Sequence, residues 1–294
     1  NYSFFELKGI DWVEVRSRYR PGVQPSTPES GLLTVVSDML DELEDGHVSV
    51  VTRFGTYRYT GWYDDHPRSY LPYLVLDRLG GTRVRAPGGL LEYGEPEPGI
   101  GYVRVPVFAD GMARDLDAAL EALAPLDGLI VDIRHNGGGS DGEVRELAGR
   151  LVTERALYRT VRYRNGPEHD DFTEPIPAYV EPRGPARFTG PVVLLTNRRT
   201  FSAAESFVLA AGTRAAGITV VGDTTGGGSG NPMLRELPNG WTYRMSRWIA
   251  YDAEGLPFEG VGLAPDVHVT FGEGSLEDAI LEEAIRILTE PSDA

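Results

Sequence analysis

The chain has 294 residues, enough for one large domain or two modest ones around a sizeable core. It carries 44 acidic against 28 basic side chains, a formal net charge of −16, which argues against a nucleic-acid partner because a phosphate backbone calls for a basic surface. Cysteine is absent and all but one of the basic side chains are arginine, the exception being Lys8, so disulfides, thiolate nucleophiles, Walker-type phosphate loops and a Ser–Lys dyad far from residue 8 are excluded.

In chain order, residues 2–20 are aromatic and mixed, with Phe4, Phe5, Leu7, Ile10, Trp12, Val15 and Tyr19 at roughly helical spacing. Thr27-Pro28-Glu29 reads as a helix start, a capping hydroxyl followed by proline at the first helical position. Leu32, Leu33, Val36, Met39, Leu40 and Leu43 continue that helix on one face, and Gly46 ends it. Residues 47–53 follow as a short strand with His47 at its mouth. Residues 60–100 carry less pattern, and the turn-rich stretches Arg85-Ala86-Pro87-Gly88-Gly89 and Glu95-Pro96-Glu97-Pro98-Gly99 mark the best boundary in the chain. The organisation expected is an N-terminal helical subdomain over 1–94 and an α/β core over 95–294.

From residue 101 strands and helices alternate: strand 101–108, helix 116–123, buried strand 129–133, helix 144–151, strand 192–196, helix 202–213 and strand 218–221. A polar hairpin around Asn239-Gly240 and an amphipathic helix over 276–288 close the chain. This alternation indicates a layered α/β fold. No run approaches the ~20 apolar residues a bilayer-spanning helix needs, so no integral membrane segment is expected.

Four places carry chemistry. Ser202 opens a helix after an apolar strand, where free backbone N–H groups and the helix dipole favour an oxyanion formed when the hydroxyl attacks a carbonyl; from these residues alone an ordinary capping box, Ser202-Ala203-Ala204-Glu205, is the commoner reading. Gly137-Gly138-Gly139 after the buried strand allows close backbone approach to a bound oxygen, or simply a flexible turn. Five histidines are present. His66 and His169 lie in acidic loops and His268 in a strand, while His47, at a glycine-broken junction, is the best placed general base, with a structural loop histidine as its plainer reading. No two histidines have the i, i+4 spacing of a metal-binding helix, so neither a metal nor a cofactor is expected. Glu259, among glycines in 258–266, is either an orienting acid or a surface carboxylate.

Taken together these segments resemble the C-terminal processing peptidases and tricorn core proteases, a family of serine peptidases. Ser202-Ala203-Ala204-Glu205 is similar to the family's Ser-Ala-x-Glu element, and Gly222-Asp223-Thr224-Thr225-Gly226-Gly227 to its Gly-Asp/Glu-x-Thr-x-Gly segment. Asp132 to Gly139 is similar to its Asp-x-Arg-x-Asn-x-Gly-Gly loop, and Glu259 to Asp266 to its Glu-x-x-Gly-Val-x-Pro-Asp element. The opening, with Phe4-Phe5, Asp11-Trp12 and Leu43 to His47, is similar to the lysine-free branch. The lysine of the processing peptidases has its place here at Gly227-Gly228.

The resemblance implies a ClpP/crotonase-like layered α/β core with a smaller N-terminal helical subdomain. It implies Ser202 as nucleophile, His47 as general base and Glu259 as orienting acid, with oxyanion donors at the N–H groups of Gly138 and Ala203. Gly46 stands where the family has a serine before its histidine, so Glu259 either contacts His47 directly or acts through a water, or activity is altered. Residues 54–100 are too few for the peptide-binding PDZ module that many relatives insert. The substrate implied is a peptide or unfolded protein; a small-molecule ester, amide or lactone, or a non-catalytic ligand-binding role, are the alternatives. Homo-oligomerisation stays open. The start at Asn1 and the family's habit slightly favour an exported protein over a cytoplasmic one, and a shortened chain accounts for that start equally well.

Overall fold

The computed structural model describes residues 2–61, 64, 68–213, 217–271 and 274–290. The chain is divided between a smaller unit of Asn1–His66, Val161–Ile176 and Gly228–Ala250 and a larger one of Pro67–Thr160, Pro177–Gly227 and Tyr251–Ala294.

In the smaller unit, helix α1 (Trp12–Tyr19) starts at Asp11, whose carboxylate accepts the N–H groups of Val13 and Glu14 at 3.0 Å each. The helical spacing seen from residue 4 is therefore realised only from Trp12; Tyr2, Phe4 and Phe5 are buried outside any helix instead. Helix α2 (Glu29–Asp41) follows Pro28, while the Thr27 hydroxyl accepts the Gln24 N–H rather than capping the helix. Strands β1 (Ser49–Thr52) and β2 (Gly55–Arg58) pair antiparallel, and β1 also pairs with β12 (Thr242–Ser246), which pairs with β11 (Pro232–Glu236). The hairpin at Asn239-Gly240 is as expected. The strand expected over 47–53 is realised as β1, and it belongs to a four-stranded antiparallel sheet hidden from local pattern because half its strands come from residues 232–246.

In the larger unit a seven-stranded sheet runs in the order β14 (Val267–His268), β10 (Ile218–Gly222), β9 (Val192–Thr196), β6 (Gly128–Asp132), β5 (Ile100–Arg104), β4 (Glu92–Glu97), β3 (Val84–Arg85). The first five are parallel and the last two antiparallel. Side chains alternate across it with the strand period of two. Val103, Leu129, Val131, Val192, Leu194 and Val220 pack on one face against helices α4 (Met112–Leu123), α5 (Asp141–Ala148) and α6 (Ala203–Gly212). Tyr102, Ile130, Val193, Leu195 and Val221 pack on the other against α3 (Pro72–Leu79) and α7 (Ala279–Thr289). Burial on both faces is why these strands read as continuous apolar runs. Strands β7 (Ala156–Tyr163), β8 (Ile176–Val180) and β13 (Trp248–Tyr251), which local pattern did not reveal, complete the set named here.

Residues 95–99 are not a linker. They lie at the β4–β5 hairpin, where the pairing register shifts between Gly94 and Glu97, and Pro96 sits in that irregular stretch where a missing N–H costs no ladder bond. Residues 68–94 accordingly belong to the larger unit.

Candidate active site

Because β6, β9 and β10 are adjacent and parallel, the loops leaving their carboxyl ends emerge at one edge of the sheet, the usual place for a site in an open α/β fold. Hydrogen bonds tie these loops together. The Phe201 N–H donates to Asn136 O at 2.9 Å, the Thr200 hydroxyl to Ile133 O at 3.1 Å, and the His135 N–H to Asn197 Oδ1 at 3.0 Å. The Gly226 N–H donates to Thr200 O at 2.8 Å.

Ser202 sits at the turn from β9 into α6 with φ 60° and ψ −123°. An L-residue with a Cβ rarely adopts such a backbone, and the strain recurs where a nucleophile is held on a sharp strand-to-helix turn. Its side chain is half-buried. The neighbouring Gly138 has φ +102°, and a Cβ placed there would lie 2.8 Å from both Ala203 N and Ser202 Cβ. Only glycine therefore fits, and Gly138, Ser202 and Ala203 form one tight cluster. The capping-box reading also holds, since the Ser202 N–H donates to Glu205 Oε2 at 2.9 Å. Cap and candidate nucleophile are the same residue.

Sequence reasoning placed two oxyanion donors here, and they differ. The Ala203 N–H opens α6, and no bond from it is seen among the described residues. The Gly138 N–H donates to Asn136 Oδ1 at 2.8 Å. The other end of the Asn136 amide donates to Val105 O at 2.9 Å, which fixes the loop's turn.

Glu205, fully buried, is a site residue whose reach the sequence did not reveal. Its Oε1 accepts the Thr225 hydroxyl at 2.6 Å and the Gly227 N–H at 2.8 Å. Gly227 packs so closely on the next loop that a Cβ would come within 2.9 Å of Val261 N and Gly262 N. The Gly260 N–H donates to Gly227 O at 2.7 Å, so Glu259, itself buried, rides on a loop fastened through Gly227 and Glu205 to Ser202.

Charge anchors the glycine loop from below. Arg134 and Asp132 are fully buried and paired at 2.7 Å, Arg134 also meets Asp278 at 2.7 Å, and the Tyr102 hydroxyl donates to Asp132 at 2.7 Å. Burial pushes the Asp132 carboxyl up, but the guanidinium groups of Arg134 and Arg104 and these hydrogen bonds outweigh it and hold the group below its ordinary value. His135, at φ 56°, meets the Tyr70 ring edge-on at 5.6 Å. Burial, reinforced by Arg199, Arg104 and Arg134, lowers its pKa to about 4.

His47 belongs to the smaller unit. Its backbone N–H donates to Asp45 Oδ1 at 2.8 Å, and its Nδ1 lies 3.8 Å from the same oxygen. Burial lowers its pKa, with Asp45 opposing and Arg244 and Lys8 assisting, so the ring is neutral at neutral pH. Lys8 donates to the carbonyls of Leu43 and Glu44, which places the one lysine on the same turn. Of the other histidines, His169 stacks on Phe5 at 4.4 Å, His268 is exposed beside Asp223 at 3.4 Å, and His66 lies outside the described residues. Among the described residues no three His, Asp or Glu side chains gather as a metal site, and no helix is long and apolar enough to cross a membrane.

Known proteins agree with this architecture. Peptidase family S41 matches residues 99–269. A structure from Parabacteroides merdae described as a candidate peptidase is 36% identical, with a TM-score of 0.91 over 100% of this chain and 93% of that one. The carboxy-terminal processing protease CtpB of Bacillus subtilis is 32% identical over 169 residues, which is 55% of this chain and 32% of CtpB. The tail-specific protease of Haemophilus influenzae is 29% identical over 138 residues, 44% of this chain and 18% of that protein. The chain thus spans a third or less of the length of these curated relatives. It belongs to peptidase family S41.

Proposed function

We propose that this family S41 member is a serine peptidase that hydrolyses peptide bonds of peptides or unfolded proteins through an acyl-enzyme. Ser202 is the nucleophile, His47 the general base and Glu259 the acid that orients it. The observation that carries the reading is the backbone of Ser202, held at φ 60° at a helix N-terminus against a glycine loop. A plain capping serine needs no such conformation, because caps form readily with extended backbone.

In the mechanism, neutral His47 takes the Ser202 proton as the hydroxyl oxygen attacks the scissile carbonyl. The tetrahedral oxyanion is met by the Ala203 N–H at the positive end of α6, a type of interaction worth about 3–4 kcal/mol per donor. The Gly138 N–H joins by sharing its proton between Asn136 Oδ1 and the oxyanion. Imidazolium His47 then protonates the leaving amine, and water, deprotonated by the same ring, releases the acyl group. Lysine cannot be the base: Lys8 is bound to two backbone carbonyls, and Gly227-Gly228 offers none. This supports the lysine-free branch of the family.

A fluorophosphonate probe tests the reading. Covalent labelling at Ser202, lost in Ser202→Ala and His47→Ala, is the expected result. No labelling at Ser202 in the intact protein would overturn it. Labelling without cleavage of a diverse peptide pool would move the substrate to a small ester, amide or lactone.

A further inference from the structure

One buried carboxylate beside the proposed base takes no part in the mechanism above. Asp45 is 1% exposed and sits in the turn between α2 and β1. Its Oδ2 accepts the hydroxyl of Ser246, which is fully buried at the end of β12, at 2.8 Å. Its Oδ1 accepts the His47 backbone N–H at 2.8 Å and faces the ring Nδ1 at 3.8 Å. The carboxylate is thus clamped at both oxygens and aimed at one nitrogen of a ring whose side chain is only 8% exposed. Gly46, between the two, has no side chain to intervene. A buried carboxylate is costly unless it is hydrogen-bonded and its charge is used, and Arg244 and Lys8, which also act on His47, are cations that oppose its protonation.

We propose that Asp45 is a further positioning residue of His47, in addition to Glu259, holding the ring through Nδ1 so that Nε2 accepts the nucleophile's proton. This rests on the reading of His47 as the base. The 3.8 Å separation is too long for a hydrogen bond in the resting state. It shortens when the ring becomes imidazolium, as catalytic contacts of resting enzymes commonly do. Ser246 contributes by preventing the carboxylate from swinging away.

The test is the pH profile of Ser202 phosphonylation and of peptide hydrolysis in Asp45→Asn. Removing the charge takes away a contribution that raises the pKa of His47 against burial, Arg244 and Lys8. The acid limb moves to lower pH, and the plateau rate falls about tenfold or more while the melting temperature changes little. Should Asp45→Asn fail to fold, Ser246→Ala, which frees one carboxylate oxygen, gives a smaller shift in the same direction. An unmoved acid limb in whichever variant folds, whether the rate falls or not, overturns the proposal, since a merely structural role lowers rate or stability without moving the titration. His47→Gln separates the two readings. If it is inactive while Asp45→Asn matches the unaltered protein, only the role of Asp45 fails; if it reacts as fast as the unaltered protein, the base assignment fails and the role of Asp45 with it.

Discussion

The carboxylate of Glu205 accepts the hydroxyl of Thr225 at 2.6 Å across 20 residues of sequence. The same oxygen accepts the Gly227 N–H, and the other accepts the N–H of Ser202. The Ser-Ala-x-Glu and Gly-Asp-x-Thr-x-Gly segments are therefore two ends of one buried network, and their shared purpose is to hold Ser202 in a backbone it would otherwise leave.

Glu205→Gln tests that network. An amide keeps one acceptor oxygen and turns an NH2 toward a donor, leaving a buried group unsatisfied at a cost of about 1–3 kcal/mol. Urea denaturation should show that loss, and the probe should label Ser202 more slowly even where the variant is fully folded. Unchanged stability and labelling would show that the carboxylate neither supports nor orients the turn.

Gly138→Ala places a methyl where Ala203 N and Ser202 Cβ stand at 2.8 Å, in a backbone with φ +102°. Strain of this kind costs about 1–3 kcal/mol. The loop must retreat from Ser202, so labelling should fall much further than stability does. Equal labelling by Gly138→Ala and the unaltered protein would contradict the tight cluster.

Much of this was legible because of burial. Val192 to Thr196 and Gly128 to Asp132 are covered on both faces, so their apolar runs announce parallel strands, and the loops after them follow. The smaller unit's sheet was illegible because β1 and β12 meet across nearly two hundred residues and no local period records that pairing. Pro96 and Pro98 concealed β4, since proline signals a turn unless a bulge removes the need for its N–H. Ser202, Ala203, Gly138, His47 and Glu259 were named from motif and resemblance. That Asn136 already holds the Gly138 N–H depends on the turn's shape and has no sequence signature.

Acid stability should report on His135. Its ordinary value is 6.5 and its value in the fold about 4, so between those limits the unfolded chain binds a proton that the folded one refuses. Stability is complete above pH 6.5 and declines as pH falls toward about 4. His47, lowered by burial, acts in the same direction. His135→Asn, which tolerates positive φ, should flatten the decline in urea midpoint over that interval. An identical slope would place the acid sensitivity elsewhere.

Peptide-bond hydrolysis by Ser202 is tested by cleavage of an unfolded-protein peptide pool, read as new termini by mass spectrometry, with Ser202→Ala as the matched control. New termini are expected from the unaltered protein and none from Ser202→Ala at the same fold and concentration. Equal cleavage by both proteins, or none by the unaltered protein while its Ser202 reacts with the probe, would contradict it.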